Sequence, residues 1–121
     1  MMIVYQLLQY SVNIKLYHWA TLCFARHMAS CKLVAAITEL TDKFVEVYTG
    51  IYGRKEVLGN ESVPIELKPL SDKEVIQILT GFVRFLSEEI PKHCGHHTDL
   101  LNIRDEMLGE VNKALYLFSL S

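Results

Sequence analysis

Proline and glycine are scarce in this sequence and are unevenly placed. Only three prolines and six glycines occur among 121 residues, and residues 2–22 contain neither. Because both residue types interrupt regular structure, such stretches favour helices. No alternating run of apolar and polar residues reaches a useful length, so the sequence predicts no strands.

Cysteine and strong charge are also lacking. Cys23, Cys31 and Cys94 have no framework spacing, which is typical of a reducing compartment. The net charge is -2, and Lys and Arg are scattered with no basic tail, so we expect no binding to nucleic acid or membranes. The first 20 residues lack a basic region and a cleavage site, and Gln6 and Gln9 interrupt their apolar run. We therefore expect neither a signal peptide nor a spanning helix.

Apolar side chains recur at helical spacing in four segments. The first covers residues 2–22 and the second covers residues 26–52. A capping box of Ser71 and Glu74 predicts the start of the third helix, which we expect Pro91 and Gly95 to end, and Thr98 or Asp99 starts the fourth. The seam of the second helix alternates strictly between steps of four and three residues: Leu33, Ile37, Leu40, Phe44, Val47 and Ile51.

The connections between these helices differ in length. Residues 53–70 contain glycine and proline and form a long connection, whereas the other two links are short. Short links make antiparallel neighbours, and one long crossover between the second and third helices is the wiring of ferritin-like bundles. The sequence therefore predicts an all-α, ferritin-like four-helix bundle that forms a single domain over residues 1–121.

The second helix has a second face whose residues are not typical of a solvent-exposed surface. On a helical wheel, small and mostly apolar residues such as Val34, Ala35 and Thr38 lie opposite the seam, apart from the charged strip of Lys32 and Glu39. A helix with two such strips usually covers something on each. We expect a homo-oligomer, at least a two-fold dimer packed through this helix.

Metal-ligating residue types lie on this second face. His27 and Cys31 are four residues apart, as are Asp42 and Glu46, and each pair therefore shares one side of the helix. The 15 residues from His27 to Asp42 span about 22 Å of helix, too far for one ion. Two antiparallel copies would bring the pairs together, and His18 could join His27 across the tight link. The ligand set suits iron, zinc or manganese. By itself, however, a His at a helix end is more often hydrogen-bonded to nearby carbonyls, and an Asp-x-x-x-Glu pair is more often solvated surface.

A second group of such residues lies in the link before the fourth helix: His93, Cys94, His96 and His97. Residues so close in sequence rarely all reach one ion, and an exposed polar turn is the favoured interpretation. No Glu-x-x-His spacing occurs on any predicted helix, so the usual di-iron motif of a bundle core is absent.

The pattern from His18 to Glu46 resembles that of the Dps mini-ferritins. They carry a His-Trp pair, matched by His18 and Trp19, then a second His, an Asp four residues later and an Asp-x-x-x-Glu pair. The resemblance implies an iron site shared between subunits, with ferroxidase activity. Cys31 stands where that family has a carboxylate, which weakens the case for ferroxidase chemistry.

Nearly the whole chain also resembles an uncharacterised family of large DNA virus proteins, above all in KLYHWATLCFARHMASCKLVAAITELTDKFVEVYTGIYGR. This second resemblance implies a viral protein of the host cytoplasm or the virion. Two hypotheses follow. One is a metal-binding, ferritin-like oligomer with a ferroxidase-type site between subunits. The other is a non-catalytic helical interaction or structural protein with a relic metal site.

Overall fold

The computed structural model describes residues 2–121, and within this range it contains helices and no strand. This confirms the predicted all-helical class. Every helix in the described range is too short or too polar to span a membrane. The elements in chain order are α1 (Met2–Ala20), α2 (Phe24–Tyr52), α3 (Arg54–Leu58), α4 (Asp72–Arg84), a π-helical turn (Phe85–Glu89), α5 (Pro91–Cys94) and α6 (Thr98–Ser119).

The core lies between the four long helices, and α2 is its centre. This helix packs against both α1 and α6, and α4 packs against α1 and α6. Leu33, Ile37 and Phe44 of the predicted seam are buried, and the other three seam residues are partly buried against them. Burial of an aliphatic or aromatic side chain contributes about 1.5–3 kcal/mol, so this seam fixes which face of α2 points inward. The opposite face remains at the surface, next to α1.

The long connection differs from its prediction in one respect. It begins with α3, a helix of five residues that places Val57 in the interior, 1 % exposed. Gly53 and Gly59 flank it with positive φ angles of 93° and 60°, which favour glycine. A single turn is too short to show a periodic pattern, so no spacing of apolar residues predicted it.

The capping box at the start of α4 is confirmed. The Glu74 amide donates to Ser71 Oγ, and the Ser71 amide donates to Glu74 Oε1, both at 3.1 Å. The α4 segment then continues along its predicted course through the π-helical turn, in which the Ile90 amide donates to the Phe85 carbonyl at 3.0 Å.

Pro91 explains a contact of α6 with this turn. With the five-residue spacing of a π-helix, the amide of residue 91 would donate to the Leu86 carbonyl, but proline has no N–H. Arg104 of α6 supplies the missing donor, because its Nη1 lies 3.1 Å from the Leu86 oxygen. The helical segment therefore continues to Cys94 and ends at Gly95, where the sequence predicted its end.

One arginine joins the ends of all four long helices. From α2, Arg26 donates to the Tyr17 hydroxyl at 3.3 Å and to the Asp72 carbonyl at 2.9 Å. It also donates to Ser121 Oγ at 2.9 Å and to the Phe118 carbonyl at 3.4 Å. The Tyr17 hydroxyl donates in turn to Asp72 Oδ1 at 2.6 Å. This bond is the main reason why the pKa of Asp72 is lowered.

Removing the carboxylate from this network should destabilise the fold. We expect Asp72→Ala to lower the free energy of unfolding by about 1–2 kcal/mol, since a hydrogen bond to a charged group contributes roughly that much. Because the pKa of Asp72 is lowered by folding, its contribution is present above the ordinary value of 3.8 and is lost as the pH falls through the folded value. Urea unfolding followed by circular dichroism measures the effect. The neighbouring exposed Lys73→Ala is the control, and an equal loss in both variants would contradict the network's role.

Candidate metal site

His18 and His27 meet where α1 ends and α2 begins. Their rings stack with centroids 4.0 Å apart and an interplanar angle of 16°. His27 Nδ1 lies 2.8 Å from the His18 carbonyl, and His18 Nδ1 lies 3.1 Å from the His27 carbonyl and 3.1 Å from Ser30 Oγ. Because a carbonyl oxygen only accepts, each Nδ1 carries the proton and each Nε2 keeps its lone pair. This is the tautomer in which a histidine binds a metal through Nε2.

The surroundings of His18 favour its neutral state. Burial lowers the pKa of His18, and the neighbouring His27 lowers it further. A neutral imidazole is the form that ligates a cation. The Nε2 atom of His18 is therefore available to bind a metal ion, or any other electrophile, at neutral pH.

Asp42 and Glu46 lie together on the outer face of α2, and both are exposed. The pKa of Glu46 is raised, first by its hydrogen bond with Asp42 and then by the negative charge of the same neighbour. Two carboxylates this close repel one another, and a shared proton or a bound cation relieves that repulsion. Asp42 also lines a mostly apolar groove of about 480 Å³ between α1 and α2, together with Val4 and Leu8.

Cys31 faces the same side of the molecule as His18. The two residues line a second groove of about 410 Å³ between α1 and α2, with Lys15 and Ala35. His18, His27 and Cys31 thus gather at one end of what we call the α1–α2 face.

The carboxylates Asp42 and Glu46 lie at the other end of this face, about 22 Å away along α2. Within residues 2–121, no three His, Cys, Asp or Glu side chains come close enough to hold a metal ion. A single chain therefore presents two half-sets of donors and no complete site.

Ser30 was missed by sequence reasoning. It is fully buried, its Oγ donates to the His27 carbonyl at 3.0 Å, and it helps to orient the His18 ring. A small polar residue one turn after a histidine is common in helices, so its spacing alone carried little information.

The histidines before α6 do not form a cluster with Cys94. His93, His96 and His97 are exposed, whereas Cys94 is 0 % exposed and belongs to the core. The predicted exposed polar turn is therefore right for the histidines and wrong for the cysteine. Cys94 follows the apolar spacing of Leu86 and Ile90, so helix continuation through the π-helical turn carries it inward.

The histidine pair should make stability depend on pH. The pKa of His18 is lower in the folded chain than its ordinary value of 6.5, so the folded state binds fewer protons than the unfolded state. Its contribution is complete above that ordinary value and is lost as the pH falls through it towards the folded value. Between about pH 7 and pH 5, we expect a larger fall in melting temperature for the wild type than for His18→Gln. The exposed His93→Gln should retain the full dependence, and a pH profile unchanged by His18→Gln would contradict the assignment.

Thiol labelling should separate the three cysteines. We expect a maleimide reagent to modify the exposed Cys31 fastest and the partly exposed Cys23 more slowly in the native protein. Cys94 should react only on unfolding, because it is buried and burial raises its pKa. Peptide mass spectrometry over time gives the order, and early labelling of Cys94 would show that the interior opens readily at this point.

Comparison with known proteins adds one finding. The chain matches the model of a family of unknown function, DUF5856, over residues 18–118, a range that contains both half-sets of donors. No curated protein and no solved structure matches it. Since the match covers most of the chain, the protein belongs to the DUF5856 family.

Proposed function

We propose that the protein is a metal-binding, ferritin-like oligomer in which two copies pack α2 against α2, antiparallel about a two-fold axis. His18, His27 and Cys31 of one copy then face Asp42 and Glu46 of the other, and two equivalent sites form. The observation that carries this proposal is the split of donors on the α1–α2 face, with nitrogen and sulfur at one end and paired carboxylates at the other.

The register along α2 supports a two-fold arrangement. The pair His27 and Glu46 and the pair Cys31 and Asp42 are both centred midway between Ala36 and Ile37. One axis at that level therefore brings both pairs together at once, as an isologous interface requires.

The surface around that axis suits close approach. Ala35 and Thr38 are centred on the same level, are exposed, and have small side chains that allow two helices to pack closely. Leu8, 44 % exposed, gives the face an apolar part next to the larger groove. Lys15 beside His18 would meet the partner's acidic end, so the charges of the two copies are complementary.

The donor set fits a transition metal ion. Two imidazoles with free Nε2 lone pairs and two carboxylates match the preferences of iron, zinc and manganese. The carbonyl partners at Nδ1 fix the orientation of both rings. The carboxylates would neutralise the ion and relieve their mutual repulsion. When bound, iron would supply a redox couple for reaction with oxygen or peroxide, which makes ferrous iron the first candidate substrate.

The wiring of the chain supports the ferritin-like part of the proposal. Four long helices surround one core, and the connection that contains α3 is the only long one within residues 2–121. A long connection between the second and third long helices is how ferritin-like bundles are joined. The resemblance to the Dps mini-ferritins points the same way and adds iron oxidation at the interface.

A second function is favoured by Cys31. A thiol is oxidised by peroxide, so a site with Cys31 among its ligands suits repeated ferrous iron oxidation poorly. In this alternative the α1–α2 face serves assembly alone, and the chain is a non-catalytic helical interaction or structural protein, viral by its second resemblance, with a relic site.

A mixing experiment tests the shared site. His27→Ala and Asp42→Ala should each abolish stoichiometric metal binding while helical content stays unchanged. A heterodimer of the two variants carries one site with both changes and one intact site. Unfolding and refolding the variants together in equal amounts makes about half of the dimers heterodimers, so about a quarter of the wild-type metal content should be restored, measured by elemental analysis with light scattering for mass.

The matched control is Glu88→Ala, which removes an exposed carboxylate far from the α1–α2 face in sequence and should bind metal like the wild type. Restored binding in the mixture shows that the ligands come from two copies. Full binding by either single variant would overturn the site. A metal-free wild-type oligomer that ignores added ferrous iron would favour the non-catalytic alternative.

A further inference from the structure

One end of the molecule carries large apolar side chains that cover no part of the core. Trp19, Leu22, Phe24 and Leu120 are 66 %, 102 %, 76 % and 66 % exposed, and we call them the apolar tip. Leu22 lies in the link between α1 and α2 and projects fully into solvent. Single exposed leucines are ordinary, but a group of this size marks an interaction surface.

The Arg26 network holds the parts of the tip together. Arg26 binds Ser121 and the Phe118 carbonyl, so the end of the chain, with Leu120, lies against the start of α2. Thr21 donates to Asp72 Oδ1 at 3.0 Å, which fastens the link itself to α4. These hydrogen bonds therefore hold the tip in place, and the fold itself leaves its side chains exposed.

The charged residues at the ends of α1, α2 and α6 that carry the tip are all cationic. No Asp or Glu precedes Glu39, and none follows Glu110, so the helix ends that carry the tip contribute only cations. Lys15 lies 5.2 Å from the centre of the Trp19 ring, and Lys73 is exposed near the start of α4.

The two nearby acidic residues on α4 are both engaged. The cation of Arg26 lies beside Asp72 and donates to its backbone carbonyl at 2.9 Å, and Glu74 pairs with Lys68 at 3.3 Å. The surface charge next to the tip is therefore mainly basic.

The net charge of -2 over the whole chain predicted no membrane binding, but it averages over a surface that is locally basic at the tip. We propose that the apolar tip inserts into the interfacial region of an anionic lipid surface. Trp, Phe and Leu are the side chains that interfacial proteins commonly bury at a membrane surface. The burial of their apolar area adds to the attraction between lysines and anionic headgroups. Because Leu22 projects fully from the protein surface, lipid acyl chains can surround its side chain. Nucleic acid fits less well, because leucine side chains offer no ring on which a base can stack. This inference is independent of metal binding.

Trp19 makes the test direct, because it is the only tryptophan in the chain. Full-length protein is titrated with vesicles of phosphatidylcholine alone and of phosphatidylcholine with phosphatidylserine. We expect binding to the anionic vesicles only, with Trp19 emission shifted to shorter wavelength. Leu22→Ser should weaken this binding about tenfold or more, and Lys15→Gln about fivefold. Leu67→Ser, which removes a leucine that is 75 % exposed in the long connection, should bind like the wild type.

Three outcomes would overturn the proposal. One is the absence of any emission shift with anionic vesicles. Another is an equal loss of binding in Leu22→Ser and Leu67→Ser. The last is binding of the tip to something other than lipid, in the absence of vesicle binding. Such binding would be seen either as self-association that Leu22→Ser abolishes or as quenching of Trp19 by a single-stranded oligonucleotide. Self-association would make the tip a contact between copies, and quenching would make it a nucleic-acid surface.

Discussion

The fold depends on the guanidinium of Arg26. A planar group with five donors can serve several acceptors in fixed directions, and here they come from the ends of all the other long helices. Stacking of Arg26 over the Phe118 ring, 5.1 Å from its centre, places the charge against the core. The tight link between α1 and α2 is held by this arrangement. The reciprocal contact of His18 and His27 and the exposure of Leu22 both follow from it.

Much of the fold could be predicted because the signals are local. The seam of α2 and the capping box of Ser71 and Glu74 depend on residues within a turn or two of each other, and both are found in the structure. The Tyr17 to Asp72 bond joins residues 55 apart, and no spacing rule reaches so far. The site was predicted as separate residues, four on the second helix and His18 at the end of the first. Its decisive detail, which nitrogen of each ring is free, depends on backbone carbonyls that only the folded link brings into place.

The two half-sets of donors make assembly part of the chemistry. A chain that held all its ligands together would bind metal as a monomer. Here one end of the α1–α2 face holds two imidazoles, of which His18 is favoured in its neutral form, and the other end holds a carboxylate pair under mutual repulsion. The same charges that would bind an ion would then also select the antiparallel orientation of the partner, since a parallel arrangement would place carboxylates against carboxylates.

The donor that Arg104 gives to the Leu86 carbonyl ties local structure to tertiary structure. A helix ordinarily closes its own hydrogen bonds, so it can begin to form before its neighbours arrive. The segment around Pro91 is different, because the bond that completes its backbone comes from α6. Helix continuation from Phe85 to Cys94 is therefore less stable before the C-terminal helix docks. This end of the molecule should form and dissolve as one cooperative unit, with the secondary structure of one segment conditional on the position of another.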